Sequence, residues 1–117
     1  MKKVIAVLAT LDTKGQEAEF LRDQLEALGS RALLVDIGVM NTPATRADLT
    51  RAQVARAGGT PLADLQAGKS REASQPVMAA GATALLLKRI AKDEVHGVIG
   101  LGGLQGTAAC TSVMRAL

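Results

Sequence analysis

The chain has 117 residues, 48% of them hydrophobic and 21% charged, with one Phe, no Trp and no Tyr. That is the length of one ordinary domain, able to bury roughly two-thirds of the surface its unfolded chain exposes. High aliphatic content with a net charge of only +3 excludes a disordered chain. The lone Cys110 excludes a disulfide scaffold and points to a reducing, cytoplasmic setting. Near-absence of aromatics excludes the stacking platforms that hold single-stranded nucleic acid. The basic residues are scattered, and the densest group (Lys88, Arg89, Lys92) runs straight into Asp93 and Glu94. This reads as a solvated surface with no nucleic-acid partner. No window is long and apolar enough to span a bilayer, so no membrane partner is expected.

Val4 to Ala9 is a continuous, β-branched-rich apolar run, the pattern of a strand covered on both faces. A polar loop, Thr10-Leu11-Asp12-Thr13-Lys14-Gly15, follows. Thr13 with Gln16 fits a capping box, which predicts a helix from about Lys14. Ala18, Leu21, Leu25 and Leu28 then form one apolar stripe, and Gly29 ends the helix. Ala32 to Ile37 is a second buried strand, closed by Gly38. Thr50 and Gln53 form another capping box, opening a short helix (Arg51 to Ala57) that Gly58-Gly59 terminates, and Thr60 to Gly68 reads as loop. A helical segment runs from about Arg71 to Lys92 with Val77, Ala80, Ala84 and Leu87 on one face. Pro76 interrupts it, so the regular part begins there with Ser74 as its cap. Gly97 to Leu101 is a third strand. The turn Gly102-Gly103-Leu104-Gln105-Gly106-Thr107 leads into a last helix that runs to Leu117.

Strands alternating with helices define an α/β, Rossmann-like three-layer sandwich around a parallel sheet. The last helix has no strand after it, so the expectation is the N-terminal part of a larger domain, apparently truncated after the third main strand. An open sheet edge and apolar helix faces predict a homo-oligomer.

In open α/β sheets, ligands bind beyond the carboxyl ends of the strands, where strand order reverses. If the order is 2-1-3, residues 10–15 and 100–107 flank one crevice. In the second segment, Gly100, Gly102, Gly103 and Gly106 allow backbone N–H groups to approach phosphate oxygens at a helix N-terminus, and Thr107 adds a hydroxyl. It lacks both the third glycine of a dinucleotide fingerprint and the Gly-Lys-Ser/Thr of a P-loop. A tight turn with close helix–strand packing explains the same glycines equally well. In the first segment Thr10 and Thr13 offer hydroxyls, Asp12 suits a ribose hydroxyl or water-bound Mg2+, and Lys14 suits phosphate. The plainer alternatives are a cap, a turn-holder and a solvated lysine. Asp36 ends the second strand where Rossmann proteins often bind ribose, although a loop-organising carboxylate fits the same position. Asp48 reads as a helix-start residue, His96 as a surface histidine and Cys110 as core. With one His and one Cys at unrelated places, no metal site is expected.

Thr10 to Gly15, Val35-Asp36-Ile37-Gly38, Ala47-Asp48-Leu49-Thr50-Arg51 and Gly97 to Gly103 together resemble the tobamovirus-resistance-type ATP-binding domain family. That family comprises largely uncharacterised bacterial and fungal proteins and a plant antiviral protein. The resemblance covers essentially the whole chain. It implies an N-terminal Rossmann-like domain that binds ATP, with Mg2+, in chains that continue into further strands and a second domain. Carried over residue by residue, it implies ligand contacts at Thr10, Asp12, Thr13 and Lys14, and at Gly102, Gly103, Gly106 and Thr107. Leu104 and Gln105 stand where the family's loop carries a serine and a glycine. No catalytic residue carries over. The leading expectation is therefore a nucleotide-binding module. The alternatives are part of an ATP-dependent enzyme acting on a small metabolite, or a protein-interaction module stabilised by nucleotide.

Overall fold

Val4–Ala9 form β1, the central strand, and Ala6 to Ala9 are wholly buried because both faces of the strand are covered. β2 (Arg31–Asp36) and β3 (Gly97–Gly100) flank it in the order β2-β1-β3, both parallel to β1. Val7 stands opposite Leu34 on one side and Ile99 on the other. The structure is a computed structural model. It describes residues 2–68, 71–102 and 104–117, with residues 71, 72 and 104–106 described by backbone alone.

Strand side chains alternate between faces, so the two faces carry separate cores. On the first face, Val7, Ala9 and Leu34 pack against Leu11 and Ala18 of α1 (Leu11–Ala27). On the second, Ala6, Leu8 and Val35 meet α2 (Arg51–Ala57), α4 (Arg71–Ala91) and α5 (Leu104–Ala116) through Val54, Met78, Leu86, Cys110 and Val113. A short α3 (Leu62–Gly68) lies against this core through Leu62 and Leu65. The result is the Rossmann-like three-layer sandwich.

The start of α2 and the ends of α1 and α2 follow the sequence. The Thr50–Gln53 capping box forms in full. Past α1, Ser30 N–H donates to the Leu25 carbonyl and Gly29 takes φ 91°, and past α2 the same pattern recurs at Thr60, Ala55 and Gly59. α2 and α4 cross in near backbone contact. A Cβ on Gly81 would lie 1.8 Å from the Val54 carbonyl oxygen, and one on Gly58 would lie 2.1 Å from that of Val77.

Five expectations need correction. Residues 11–15 belong to α1, whose N-cap is Thr10, not Thr13; the Thr10 carbonyl already accepts from both Thr13 and Lys14 N–H, and the helix is broken at Lys14 (φ −119°, ψ 21°). Residues 62–68 are helical, since one turn needs only Leu62, Leu65 and the Pro61 carbonyl to settle it. Pro76 lies inside α4 without ending it and Ser74 is buried within the helix. Burial of Met78, Ala79, Ala82 and Leu86 holds the helix across the one lost N–H. Those four residues form α4's buried face, where Val77, Ala80, Ala84 and Leu87 were expected. In a helix apolar nearly all round, spacing leaves the rotation about the axis undetermined. On α1, Leu28 likewise falls outside the buried stripe.

Candidate functional site

The order β2-β1-β3 places the switch point between β1 and β3, since the chain leaves β1 toward β2 and later crosses to β1's other side. Thr10 follows β1 directly, and Leu101 and Gly102 follow β3. Leu101 N–H donates to the Leu8 carbonyl at 2.9 Å, which holds the β3 exit against the end of β1. The two candidate segments therefore leave neighbouring strands at the same end of the sheet.

The β1 exit is organised by carboxylates. Asp36, 1% exposed, places Oδ1 3.2 Å from the Leu11 N–H and 2.9 Å from the Gly38 N–H. It thus caps the first turn of α1 from the end of the neighbouring strand, in place of a cap from Thr10. Burial pushes the Asp36 carboxyl above its ordinary value; the two N–H donors and the Arg51 guanidinium oppose the rise, and the nearby Asp12 adds to it. Asp12 Oδ2 accepts from the Asn41 N–H at 3.1 Å. Its Oδ1 is buried with no hydrogen-bond partner among the described residues. A Cβ on Gly38 would meet Asp12 Oδ1 at 2.7 Å and Asp36 Oδ1 at 3.1 Å, so both carboxylates converge where that residue lacks a side chain. Arg51 Nη1 donates to the Asn41 carbonyl, and Ala44 N–H donates to the Leu11 carbonyl, which fixes residues 38–44 over the helix start.

Thr10 Oγ1 and Thr13 Oγ1 share a hydrogen bond of 2.7 Å at the surface, and Lys14 Nζ lies 3.7 Å from Glu17 Oε2. Across the crevice, Gly102 is exposed and the exposed Thr107 hydroxyl donates to the Gly102 carbonyl at 3.1 Å. Gly106 lies in α5, and Gly103 falls outside the described residues. Thr10, Asp12, Thr13, Lys14 and Asp36 thus gather at one strand exit, and Gly102 and Thr107 stand at the next. A shallow hollow beside the α2–α3 turn, lined by Arg56, Thr60 and Pro61 among others, contains none of them.

Four polar residues take roles that the sequence did not assign them. Asn41 and Arg51 enter the Asp12–Asp36 cluster, a role that only folding of residues 38–51 could reveal. Asp48 does not open a helix: its Oδ2 accepts from the Leu34 N–H at 2.8 Å, and Leu49 bridges to Val35, closing the outer edge of β2. His96 is no free surface residue, since its side chain is only 13% exposed. Its Nδ1 accepts from the Val4 N–H at 3.0 Å, which leaves Nε2 to donate to Asp93 Oδ1 at 3.0 Å. Cys110 is core, as expected. Its thiol lies 3.6 Å from the Leu8 carbonyl, and burial pushes it above its ordinary value. Among the described residues no group of three or more His, Cys, Asp or Glu could hold a metal ion, and no helix is long and apolar enough to cross a membrane.

The fold and its switch point define an α/β sandwich with a candidate ligand crevice at the strand exits. The chain belongs to the uncharacterised protein family UPF0261, matching the model of its N-terminal domain over residues 3–117. It is 39% identical to a UPF0261 protein of Clostridium tetani over 118 residues, covering 100% of this chain and 29% of the relative. It is 36% identical to one of Rhizobium meliloti over 115 residues, 98% of this chain and 28% of the relative. With one of Brucella suis the figures are 32% over 103 residues, 88% and 25%. The chain therefore spans under a third of the length of these relatives. No solved structure matches it.

Proposed function

We infer that the chain is a nucleotide-binding module, with ATP the nucleotide and its phosphates between the exits of β1 and β3. The observation that carries this reading is the strand order β2-β1-β3, which puts two helix-opening strand exits side by side at a switch point. On one side Thr10, Thr13 and Lys14 offer two hydroxyls and an ammonium group. On the other, the exposed Gly102 and Thr107 precede and open α5, where N–H groups at a helix start favour an anion. Asp12 Oδ2 holds the Asn41 N–H, and its Oδ1, without a hydrogen-bond partner among the described residues, faces Gly38 on the closed side of the exit. Asp36 acts as scaffold in this reading, because its Oδ1 is committed to Leu11 and Gly38. The resemblance to the tobamovirus-resistance-type ATP-binding family points the same way.

Calorimetric titration with ATP and Mg2+ tests the reading. Heat of binding that weakens in Lys14→Ala and Thr13→Val is expected, with a rise in melting temperature that follows ligand concentration. Absence of binding by ATP and ADP at millimolar concentration would refute it.

A further inference from the structure

The candidate crevice lies at the strand exits, and the opposite end of the sheet is built differently. There β1 and β3 begin side by side, and the turn between α4 and β3 brings His96 against Val4. His96 holds both backbone groups of Val4. Its own N–H donates to the Val4 carbonyl at 2.8 Å, and its ring Nδ1 accepts the Val4 N–H at 3.0 Å. The pairing of β1 with β3 starts at Ile5 and Gly97. The ring therefore extends that ladder by one residue, with a side chain as the acceptor.

Asp93 anchors the other side of the ring. Nε2 lies 3.0 Å from Asp93 Oδ1, and since Nδ1 must be bare to accept from Val4, Nε2 carries the hydrogen of the neutral ring. Asp93 sits in a turn where it takes φ 59°, and its N–H and that of Glu94 donate to the Ile90 and Arg89 carbonyls. The His96 side chain is 13% exposed and that of Asp93 74%, so the bond to Val4 is sheltered and the bond to Asp93 faces water.

This arrangement accommodates one ring hydrogen, not two. A proton taken from water by Nδ1 sets Nδ1–H against Val4 N–H, and that bond is lost. The bond to Asp93 survives and becomes charge-assisted, which gives the cation a place to stay. The other charged groups at this end are Lys2 and Lys3 before β1, Arg31 of β2, Glu26 of α1, Arg115 of α5, and Lys92 and Glu94 beside Asp93. All of them are exposed, Glu94 pairs with Arg89 at 3.8 Å, and among the described residues only Asp93 pairs with the ring. We propose that His96 is a proton-operated latch on the start of β1. Neutral, it ties Val4 to the head of β3; protonated, it stays with Asp93 alone and releases the Val4 N–H. The latched form excludes a proton from Nδ1, so acid shifts the population toward the released form by mass action. The latch lies at the far end of the sheet from the crevice and works whether or not a nucleotide binds there.

Nuclear magnetic resonance of the isotope-labelled 117-residue chain tests this from about pH 8 to about pH 5, the range in which imidazole side chains take up a proton. Ring nitrogen signals report the charge on His96. Amide exchange, corrected for the intrinsic effect of pH, reports the bond to Val4. The Nε2–H tautomer is expected at the upper end. Protection of the Val4 amide should then fall at least about tenfold in step with protonation of the ring, while that of Val7 changes less than about twofold. His96→Gln keeps an acceptor for Val4 but takes up no proton, so its Val4 protection should not follow pH. Constant Val4 protection while the ring becomes charged overturns the proposal, as does a ring still neutral at about pH 5. Loss of Val7 protection together with Val4 also overturns it, because the whole fold would then be responding, and so does a glutamine variant that loses Val4 protection over the same range. If circular dichroism shows the glutamine variant unfolded, the comparison of ring charge with Val4 and Val7 protection in the wild-type chain decides by itself.

Discussion

Asp36 gives the most discriminating test of how the β1 exit is built. Its Oδ1 is the acceptor for two N–H groups, Leu11 at 3.2 Å and Gly38 at 2.9 Å, in a residue that is 1% exposed. Asp36→Ala strands both donors, at about 1–3 kcal/mol each, so a loss of about 2–6 kcal/mol is expected. That is a large part of a small domain's total stability. Asp36→Asn keeps an oxygen in place of Oδ1 and removes a buried charge, so it should cost far less than the alanine variant. The pH dependence separates the two contributions. Burial raises the folded carboxyl above its unfolded value of 3.8, so between these values the folded state binds more protons than the unfolded one. Stability from this group is therefore greatest below about 3.8 and falls as pH rises through the folded value. Asp36→Asn cannot titrate, so the wild-type stability relative to this variant should decline over that window and then level off. Urea unfolding followed by far-ultraviolet circular dichroism is the assay, since the chain has no Trp or Tyr to report by fluorescence. An alanine variant within about 1 kcal/mol of wild type, or an asparagine variant as damaged as alanine, would refute the capping role.

Other expected outcomes follow from single contacts. Gly81→Ala places a Cβ 1.8 Å from the Val54 carbonyl oxygen, which is backbone and cannot rotate away. It should cost at least about 3 kcal/mol by thermal or urea unfolding or prevent folding, whereas Gly68→Ala, with nothing within 4 Å, should be near neutral. His96→Ala removes the acceptor of the Val4 N–H and should cost about 1–3 kcal/mol; His96→Gln, which can still accept there, should recover part of that in the same assay. Asp93 holds φ 59°, so Asp93→Gly relieves backbone strain while losing the His96 contact, and a midpoint shift below about 1 kcal/mol in either direction is expected.

The strands, their parallel order and the short α2 were legible because each rests on local signals. These are β-branched runs, a Thr50–Gln53 box, and glycines placed one residue past a helix C-cap. What escaped the sequence depends on partners far along the chain. The cap of α1 comes from Asp36, 25 residues away, and no local rule competes with the Thr13–Gln16 box that it displaces. His96 reads as surface until Val4, 92 residues earlier, is brought beside it. The buried face of α4 escaped for a different reason: too many apolar residues satisfy the helical period at once. At the candidate site, the segments themselves were legible, but not that residues 38–51 fold across one of them and draw in Asn41 and Arg51.

That folding constrains how the crevice can work. The β1 exit is closed on its β2 side, where Asp36 holds Leu11 and Gly38, Asp12 holds Asn41, and Ala44 N–H donates to the Leu11 carbonyl. A ligand at this exit must approach from the β3 side, past Thr10, Thr13 and the Gly102–Thr107 turn. The closed side does more than block an approach. It fixes the direction of the first turn of α1 with a buried carboxylate, so the Thr10 and Thr13 hydroxyls are held in place beforehand, and under the proposed function little ordering would remain to oppose binding. A broken helix at Lys14 then sets the first turn apart from the body of α1, which lets that turn follow the Asp36 cap while Ala18 stays in the core. If the proposed nucleotide site is real, substitution of Asp36 should therefore weaken nucleotide binding without touching the ligand, whereas Thr13→Val should weaken binding and leave the folding midpoint nearly unchanged.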